Sequence, residues 1–160
     1  MRRLGIGLAL LLLASAGMAR ASAEANDVHV AKDFIVALTQ TMNGRATVVD
    51  IDRVADLLAP DAVYEDAGFG ARVAGRAQIR AGLLSHLDDY AGTPQEVTLH
   101  VDHLQTGPGV VFFDLRLGIK VKGADGAPVA VERHQITAVE VRSGHVSRII
   151  DYRWPARPRD

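Results

Sequence analysis

Two groups of polar residues could do chemistry, and the first lies at the end of a short predicted strand. Tyr64 and Asp66 come just before the glycine-rich loop Ala67 to Gly70. Because alternate residues of a strand share a face, Tyr64 and Asp66 point the same way. If that face is inward, Asp66 is a carboxylate at the mouth of an apolar cavity, where desolvation suits it to general-base work. The alternative is a turn-forming aspartate that caps the loop.

The second group lies in a long predicted strand over residues 128–142. Four valines share one face of this strand by parity: Val129, Val131, Val139 and Val141. The middle of the same face holds polar residues: Arg133, Gln135 and Thr137. Polar groups in an apolar stripe need partners, water or a ligand. A β-bulge that reverses the parity is the alternative. It would instead turn three other residues inward: His134, Ile136 and Ala138.

Composition excludes several other kinds of site. The sequence has no cysteine, so it can form neither disulfides nor thiolate metal sites. Its six histidines are scattered, without the close spacing of a zinc site. Basic residues form no cluster or aromatic-interleaved stripe, which argues against nucleic acid as a partner. We therefore expect no metal and no cofactor.

The N-terminus has the three parts of a secretory signal. Arg2 and Arg3 give a positive start, and Leu4 to Gly17 form an apolar run shorter than the roughly 20 residues that span a bilayer. Ala21-Ser22-Ala23 then offers a cleavage site, predicting a mature chain that begins at Glu24. We expect residues 1–23 to be removed and residues 24–160 to form one periplasmic or secreted domain, without membrane attachment or a lipid-anchored cysteine. The alternative is a retained membrane anchor.

Hydrophobic periodicity predicts the elements that position these residues. Helical spacing indicates a first helix capped by Asn26 or Asp27, a second over Ile51–Leu58 capped by Asp50, and a third from about Arg76 to Tyr90. Ala62–Asp66 is predicted as a short strand. From Val97 onward the period changes to two, over four strands joined by turns, including one at Ser143-Gly144. In the second of these strands, Phe113, Leu115, Leu117 and Ile119 are expected among the most buried residues. The pattern predicts an α+β fold, with three N-terminal helices packed on a curved, mainly antiparallel sheet around a cone-shaped cavity.

Three segments resemble the nuclear transport factor 2-like superfamily. The nonapeptide Leu58–Asp66 is similar to a segment of that group. Gly75-Arg76-Ala77-Gln78-Ile79 resembles the G-x-x-x-I opening of its third helix, and Gly144-His145-Val146, with Ile149 and Tyr152, resembles its final G-K-I hairpin. The resemblance covers residues 27–154. The superfamily includes SnoaL-like polyketide cyclases, ketosteroid isomerases, scytalone dehydratase and limonene epoxide hydrolase, and its fold is the cystatin-like cone.

The resemblance also implies roles for particular residues. Asp66 falls where ketosteroid isomerases hold their proton-shuttling base, which they pair with an oxyanion hole of a tyrosine and a protonated aspartate. The tyrosine falls on Phe34, which cannot donate a hydrogen bond, and the aspartate falls near Ile136 or Thr137. A steroid isomerase with that mechanism is therefore not expected.

Polyketide cyclases and scytalone dehydratase use histidine and aspartate inside the same cavity. The corresponding residues available here are His134 and Asp151, with His86 on the third helix as a further base. His134 could equally be a solvated residue beside Glu132, His86 a helix-surface residue, and Asp151 the partner of Arg148 or Arg153 in an ion pair.

Together these features predict an exported pocket protein for an apolar or aromatic small molecule. The predicted catalytic residues are Asp66, His134 and Asp151. The predicted ligand-binding residues are Phe34, Tyr64, His86, Phe113, Gln135 and Thr137. If the protein is catalytic, the resemblance implies cofactor-free proton abstraction next to a carbonyl, leading to isomerisation, dehydration or cyclisation. The alternative is a non-catalytic binding module, and in either case the open sheet face is expected to form a homodimer.

Overall fold

The helices and strands were located in a computed structural model that describes residues 5–90, 95–122 and 126–153. Within these ranges the chain forms three helices: α1 (Gly5–Gln40), α2 (Val48–Leu57) and α3 (Arg76–Tyr90). It also forms six strands: β1 (Leu58–Asp66), β2 (Ala71–Ala74), β3 (Glu96–Gly107), β4 (Val110–Lys122), β5 (Pro128–Arg142) and β6 (His145–Arg153). The predicted α+β class is confirmed.

The strands form a single sheet in the order β2-β1-β6-β5-β4-β3. β1 and β6 run parallel, and the other neighbouring strands are antiparallel. β1 is longer than predicted: it begins at Leu58, directly after α2, and β2 was not predicted at all. The four residues of β2 carry no clear alternation of apolar and polar side chains, so they gave no strand signal.

The start of α1 differs from the prediction. The helix continues through Asn26 and Asp27, so neither residue caps it. The apolar segment before them is itself helical, so the helix does not begin at either residue. Arg2 and Arg3, the charged start of the predicted signal, lie outside the described residues. Among the residues that the structure describes, no helix is long and apolar enough to cross a membrane.

The cap of α2 also lies earlier than predicted. Thr47 is the N-cap, and Asp50 is three residues into the helix. The Asp50 carboxylate accepts hydrogen bonds from the Thr47 backbone N–H, at 2.8 Å, and from the Thr47 hydroxyl, at 2.9 Å. Asp50 therefore stabilises the helix start by reaching back to the cap residue.

The sheet buries one face against the helices, which we call the inner face, and exposes the other, the outer face. Phe113, Leu115 and Leu117 of β4 lie on the inner face and are almost completely buried. Phe113 and Leu115 share a core cluster with Phe34 and Ile35 of α1. The predicted inward face of β4 is confirmed, although Ile119, near the end of the strand, is only half-buried.

A two-residue turn and a register shift together set the pairing of β5 with β6. Ser143 and Gly144 both have positive φ, 53° and 75°, the conformation of the type I′ turns that join twisted antiparallel strands. The turn pairs Arg142 with His145, and a one-residue register shift between Glu140 and Val141 then places Asp151 of β6 opposite Thr137 of β5. This register brings two polar residues, 14 positions apart in the chain, to the same place on the inner face.

Candidate functional site

The middle of β5 turns polar residues toward the core. Its pairing with β4 is continuous, with Gln135 opposite Leu115 and Thr137 opposite Phe113. No bulge reverses the parity along this pairing. Gln135 and Thr137 therefore lie on the inner face, with 6% and 0% of their surface exposed, whereas Arg133 is exposed. Between the two arrangements that the sequence left open, the structure has the one with Gln135 inward.

Asp151 is the centre of a chain of hydrogen bonds on this face. Its carboxylate accepts one bond from the Tyr64 hydroxyl, at 2.9 Å, and one from the Thr137 hydroxyl, at 2.6 Å. The Gln135 side-chain amide donates in turn to the Thr137 hydroxyl oxygen, at 3.1 Å. Asp151 is only 3% exposed. Hydrogen bonds to a carboxylate are among the stronger ones, so three strands hold this side chain in place.

Asp66 lies beside Asp151, because the two residues are paired across the parallel strands β1 and β6. Asp66 is 5% exposed, and its Oδ1 atom accepts hydrogen bonds from the backbone N–H groups of Gly68, at 3.1 Å, and Phe69, at 3.3 Å. The two alternatives for Asp66 therefore coexist. It caps the loop after β1, and it is also a buried carboxylate on the inner face.

Five residues thus form what we call the inner polar cluster: Tyr64, Asp66, Gln135, Thr137 and Asp151. Their surroundings are apolar, since Phe34 and Phe113 on the same side of the sheet are 1% and 0% exposed. A few polar groups placed in an apolar environment are typical of small-molecule sites, where they fix the orientation of the ligand. Carboxylates and a phenol can also take up and return protons.

The two predicted histidines lie away from this cluster. His134 is on the outer face, with 57% of its side chain exposed, and its Nε2 atom lies 3.3 Å from Glu132. The inward orientation that a role at the inner polar cluster requires is not the one found, because the parity of β5 is not reversed. His86 is exposed on the surface of α3. Both match the alternatives that the sequence left open for them.

The sequence suggested an ion pair of Asp151 with Arg148 or Arg153. The side chain of Arg153 lies outside the described residues, and Arg148 does not pair with Asp151. Three residues apart in a strand, the two side chains lie on opposite faces. Arg148 instead donates to Glu65, at 2.8 Å, and Glu140, at 3.4 Å, on the outer face. The contact of Asp151 with Tyr64 was not predicted, because it depends on the parallel pairing of β1 with β6, which has no local signal in the sequence.

The outer face carries a depression of its own. It has a volume of about 230 Å³ and is lined by residues of β3, β4 and β5, including Thr98, Gly118, Ala130 and Glu132. Gly118 leaves it open, since a Cβ atom there would lie 2.6 Å from the Thr98 hydroxyl oxygen. This depression is on the side of the sheet opposite the inner polar cluster.

Comparison with known proteins identifies the family. Residues 40–149 match the SnoaL-like domain. No curated protein sequence is significantly similar to the chain. The solved structures that it resembles include a proposed SnoaL-like polyketide cyclase from Shewanella putrefaciens CN-32, with 16% sequence identity, a TM-score of 0.64, and 79% of each chain covered.

Two further structures carry other descriptions on the same fold. An LEH-like epoxide hydrolase from M. tuberculosis has 21% identity and a TM-score of 0.59, covering 81% of this chain and 84% of that one. A hypothetical protein from Catenulispora acidiphila with a ketosteroid isomerase-like fold, in complex with trimethylamine, has 21% identity and a TM-score of 0.55, covering 75% and 84%. At these identities the likeness establishes the fold.

Proposed function

Since the chain belongs to the SnoaL-like domain family, we propose that it binds a small molecule at the inner polar cluster. The ligand would be apolar or aromatic, with one polar handle. The observation that carries this proposal is the buried hydrogen-bond chain from Tyr64 through Asp151 to Thr137 and Gln135 on an otherwise apolar face. Burying such groups costs free energy, and a binding site is a common reason to retain them.

The proposed chemistry is proton transfer next to a carbonyl group, leading to isomerisation, dehydration or cyclisation. Asp66 or Asp151 would remove a proton from the carbon beside the carbonyl, and the Tyr64 hydroxyl lies close enough to Asp151 to exchange a proton with it. No cofactor is required for this step. His134 is not part of the proposal, because it lies on the other face of the sheet.

A steroid isomerase mechanism with a tyrosine in the oxyanion hole is not proposed. By the resemblance, that tyrosine corresponds to Phe34, which is buried and has no hydroxyl group. A different hydrogen-bond donor would have to stabilise the developing enolate oxygen. The hydroxyl group of Tyr64, in the inner polar cluster, is the proposed donor.

The test uses 2-tetralone, an aromatic ketone, and follows the exchange of its α-protons in D2O by NMR. With residues 24–160, we expect exchange to be about 100-fold or more faster than in buffer, the usual contribution of a positioned base. Asp66→Asn or Asp151→Asn should remove most of this acceleration. His134→Ala and Asp61→Asn, both exposed positions, should not change it.

A second measurement separates catalysis from binding. 2-Naphthol has an aromatic body and one hydroxyl handle, so its affinity reports on the site without any reaction. Tyr64→Phe keeps the ring and removes one donor to Asp151, and should weaken the binding of 2-naphthol under conditions in which urea denaturation shows the variant to be folded. Binding of 2-naphthol without exchange of 2-tetralone would favour a non-catalytic binding module. Exchange that is unchanged in both carboxamide variants would contradict the proposed base.

Export is also proposed, on the basis of the signal-like N-terminus. The charged start, the short apolar run and Ala21-Ser22-Ala23 favour cleavage before Glu24 and a periplasmic or secreted domain. Mass analysis of the protein from a culture supernatant or periplasmic extract should give an N-terminus at Glu24. An intact Met1 on exported protein would contradict the proposal.

A homodimer through the outer face is the second candidate, and one observation favours it. Phe112 and Tyr152 are large apolar residues on this face, 41% and 44% exposed. Exposed aromatic residues are enriched in protein interfaces. Analytical ultracentrifugation should give a dimer that Phe112→Asp or Tyr152→Asp dissociates. Phe69→Asp, at a more exposed phenylalanine outside the sheet, should leave it intact; a wild-type monomer would contradict the prediction.

A further inference from the structure

Strand pairing gathers histidines and carboxylates on the outer face of β3, β4 and β5. His100 and His103 come from β3, Asp114 from β4, and His134 from β5. In the register of the sheet, His103 lies opposite Asp114, and His134 lies opposite Arg116. Three of the six histidines in the sequence therefore lie on one small patch, although they are up to 34 positions apart in the chain.

Three side chains in this patch are close enough to share one ligand. Oxygen atoms of Asp102 and Asp114 and a ring nitrogen of His134 all lie within 4.8 Å of one another. Asp102 reaches the patch because the pairing of β3 with β4 shifts between Val101 and His103. The extra residue at this bulge is Asp102, and bulges commonly redirect a side chain in this way.

The neighbouring arginine orients the carboxylate of Asp102. Arg116 donates two hydrogen bonds of 2.7 Å, from Nε to Oδ2 and from Nη2 to Oδ1 of Asp102. Each carboxylate oxygen has two lone pairs, so the fork with Arg116 leaves a second acceptor direction on each.

We propose that Asp102, Asp114 and His134 bind a divalent metal ion of the zinc type. Zinc takes imidazole nitrogen and carboxylate oxygen as ligands, at about 2.0–2.2 Å, and commonly completes a set of three protein ligands with water. Tetrahedral ligands at that distance lie roughly 3.3–3.6 Å apart. The three donors therefore need to approach one another by up to about 1.2–1.5 Å from the 4.8 Å limit, and the exposed side chain of His134 can rotate toward the two carboxylates.

The chemistry of the donors favours a transition-metal ion over calcium or magnesium. An imidazole is a ligand of zinc, cobalt and nickel rather than of the harder ions. This histidine also distinguishes the set from an ordinary patch of acidic residues. The ion would connect the edge strand β3 to β4 and β5. The site lies on the face opposite the inner polar cluster and does not depend on the proposed function.

The test is Zn²⁺ titration by calorimetry and Co²⁺ titration by visible absorption, both on residues 24–160. We expect one ion per chain and a d–d absorption band typical of low coordination number for Co²⁺. His134→Ala and Asp114→Asn should each weaken binding at least about tenfold, since even the partners of metal ligands contribute that much. His145→Ala and Asp61→Asn are matched controls, because both are exposed and lie elsewhere, and they should bind as the wild type does.

Thermal denaturation gives a second readout, which is independent of the heat of binding and of the Co²⁺ absorption. A ligand that binds only the folded chain raises Tm, and the rise grows with the logarithm of its concentration relative to Kd. Saturating Zn²⁺ should raise Tm in the wild type and in Asp61→Asn, but not in His134→Ala. No binding below 1 mM Zn²⁺, or the same affinity in His134→Ala, would overturn the site. Half an ion per chain, with dimerisation on adding metal, would place the ion between two chains and would also overturn it.

Discussion

Thr137 and Asp151 lie opposite each other on β5 and β6, and the Thr137 hydroxyl donates a hydrogen bond of 2.6 Å to Asp151 Oδ1. Both residues are buried, with 0% and 3% of their surface exposed. Tyr64 donates to the other carboxylate oxygen from β1, on the far side of β6. The orientation of Asp151 is therefore set by hydrogen bonds from both neighbouring strands.

Replacing Thr137 by valine tests how much the hydrogen bond between Thr137 and Asp151 contributes to the free energy of unfolding. Valine keeps the shape of the side chain and removes the donor, so Asp151 loses one of its hydrogen bonds in a buried place. We expect Thr137→Val to lower the free energy of unfolding by about 1.5–3 kcal/mol, the usual range for a hydrogen bond to a charged group. Urea denaturation of the wild type and the variant measures this change in the free energy of unfolding. Thr106→Val, at an exposed threonine bonded to Glu24, is the control and should change stability by less than about 0.5 kcal/mol.

The parity of side chains explains how much of this site could be predicted. Alternation along a strand correctly predicted that Tyr64 and Asp66 share one face of β1, and that Gln135 and Thr137 share one face of β5. What it could not decide was whether a bulge reversed the parity of β5, because a bulge depends on the pairing with β4 rather than on the residues themselves. The sequence therefore left open whether His134 or Gln135 faces inward, and in the structure it is Gln135.

Contacts between distant strands could not be predicted from the sequence for a different reason. The pairing of Asp66 with Asp151 requires β1 to lie parallel to β6, a contact between segments 85 positions apart. The cluster of Asp102, Asp114 and His134 likewise depends on a bulge in β3 and on two strand registers. The spacing of histidines along the chain predicted no metal site, because it counts only neighbours in sequence.

Leu117 tests the assignment of the inner face. It is 2% exposed, in the middle of β4, with Leu99 of β3 opposite it. We expect Leu117→Ala to lower the free energy of unfolding by about 2–5 kcal/mol, the range for a large-to-small change in a core. Lys120→Ala, at an exposed position of the same strand, is the control. A loss below about 0.5 kcal/mol for Leu117→Ala would mean that the two faces of β4 had been exchanged.

Gly118 leaves room for a neighbour on the outer face. The Thr98 hydroxyl donates a hydrogen bond of 3.2 Å to the Gly118 carbonyl oxygen, and a Cβ atom on Gly118 would lie 2.6 Å from that hydroxyl oxygen. Gly118→Ala should therefore lower the free energy of unfolding by about 1–3 kcal/mol, as overpacking usually does.

A double-mutant cycle with Thr98 separates the clash from other effects of the substitution. Removing the hydroxyl in Thr98→Ala should make Gly118→Ala much less costly, with a coupling of about 1 kcal/mol between the two changes. Additive effects in urea denaturation would mean that Gly118 is required for another reason.

Glu65 and Arg148 give a prediction about pH. Arg148 donates to the Glu65 carboxylate at 2.8 Å on the outer face, and this hydrogen bond is the largest cause of the lowered pKa of Glu65. Arg72 also donates to Glu65, at 3.2 Å, with a smaller effect. Because the pKa of Glu65 is lower in the folded chain than in the unfolded one, the contact stabilises the fold above the unfolded value. That contribution is lost as the pH falls through the folded value.

Arg148→Gln should raise the pKa of Glu65 toward its ordinary range and flatten the dependence of stability on pH in acid. Arg72→Gln should raise it less, because that hydrogen bond contributes less to the shift. The measurement is an NMR titration of the Glu65 side-chain carbons in the wild type and both variants, with urea midpoints recorded over the same pH range. The ordering would be contradicted if Arg72→Gln moved the Glu65 titration further than Arg148→Gln, since the shorter contact with Arg148 would then not be the one that holds the carboxylate ionised.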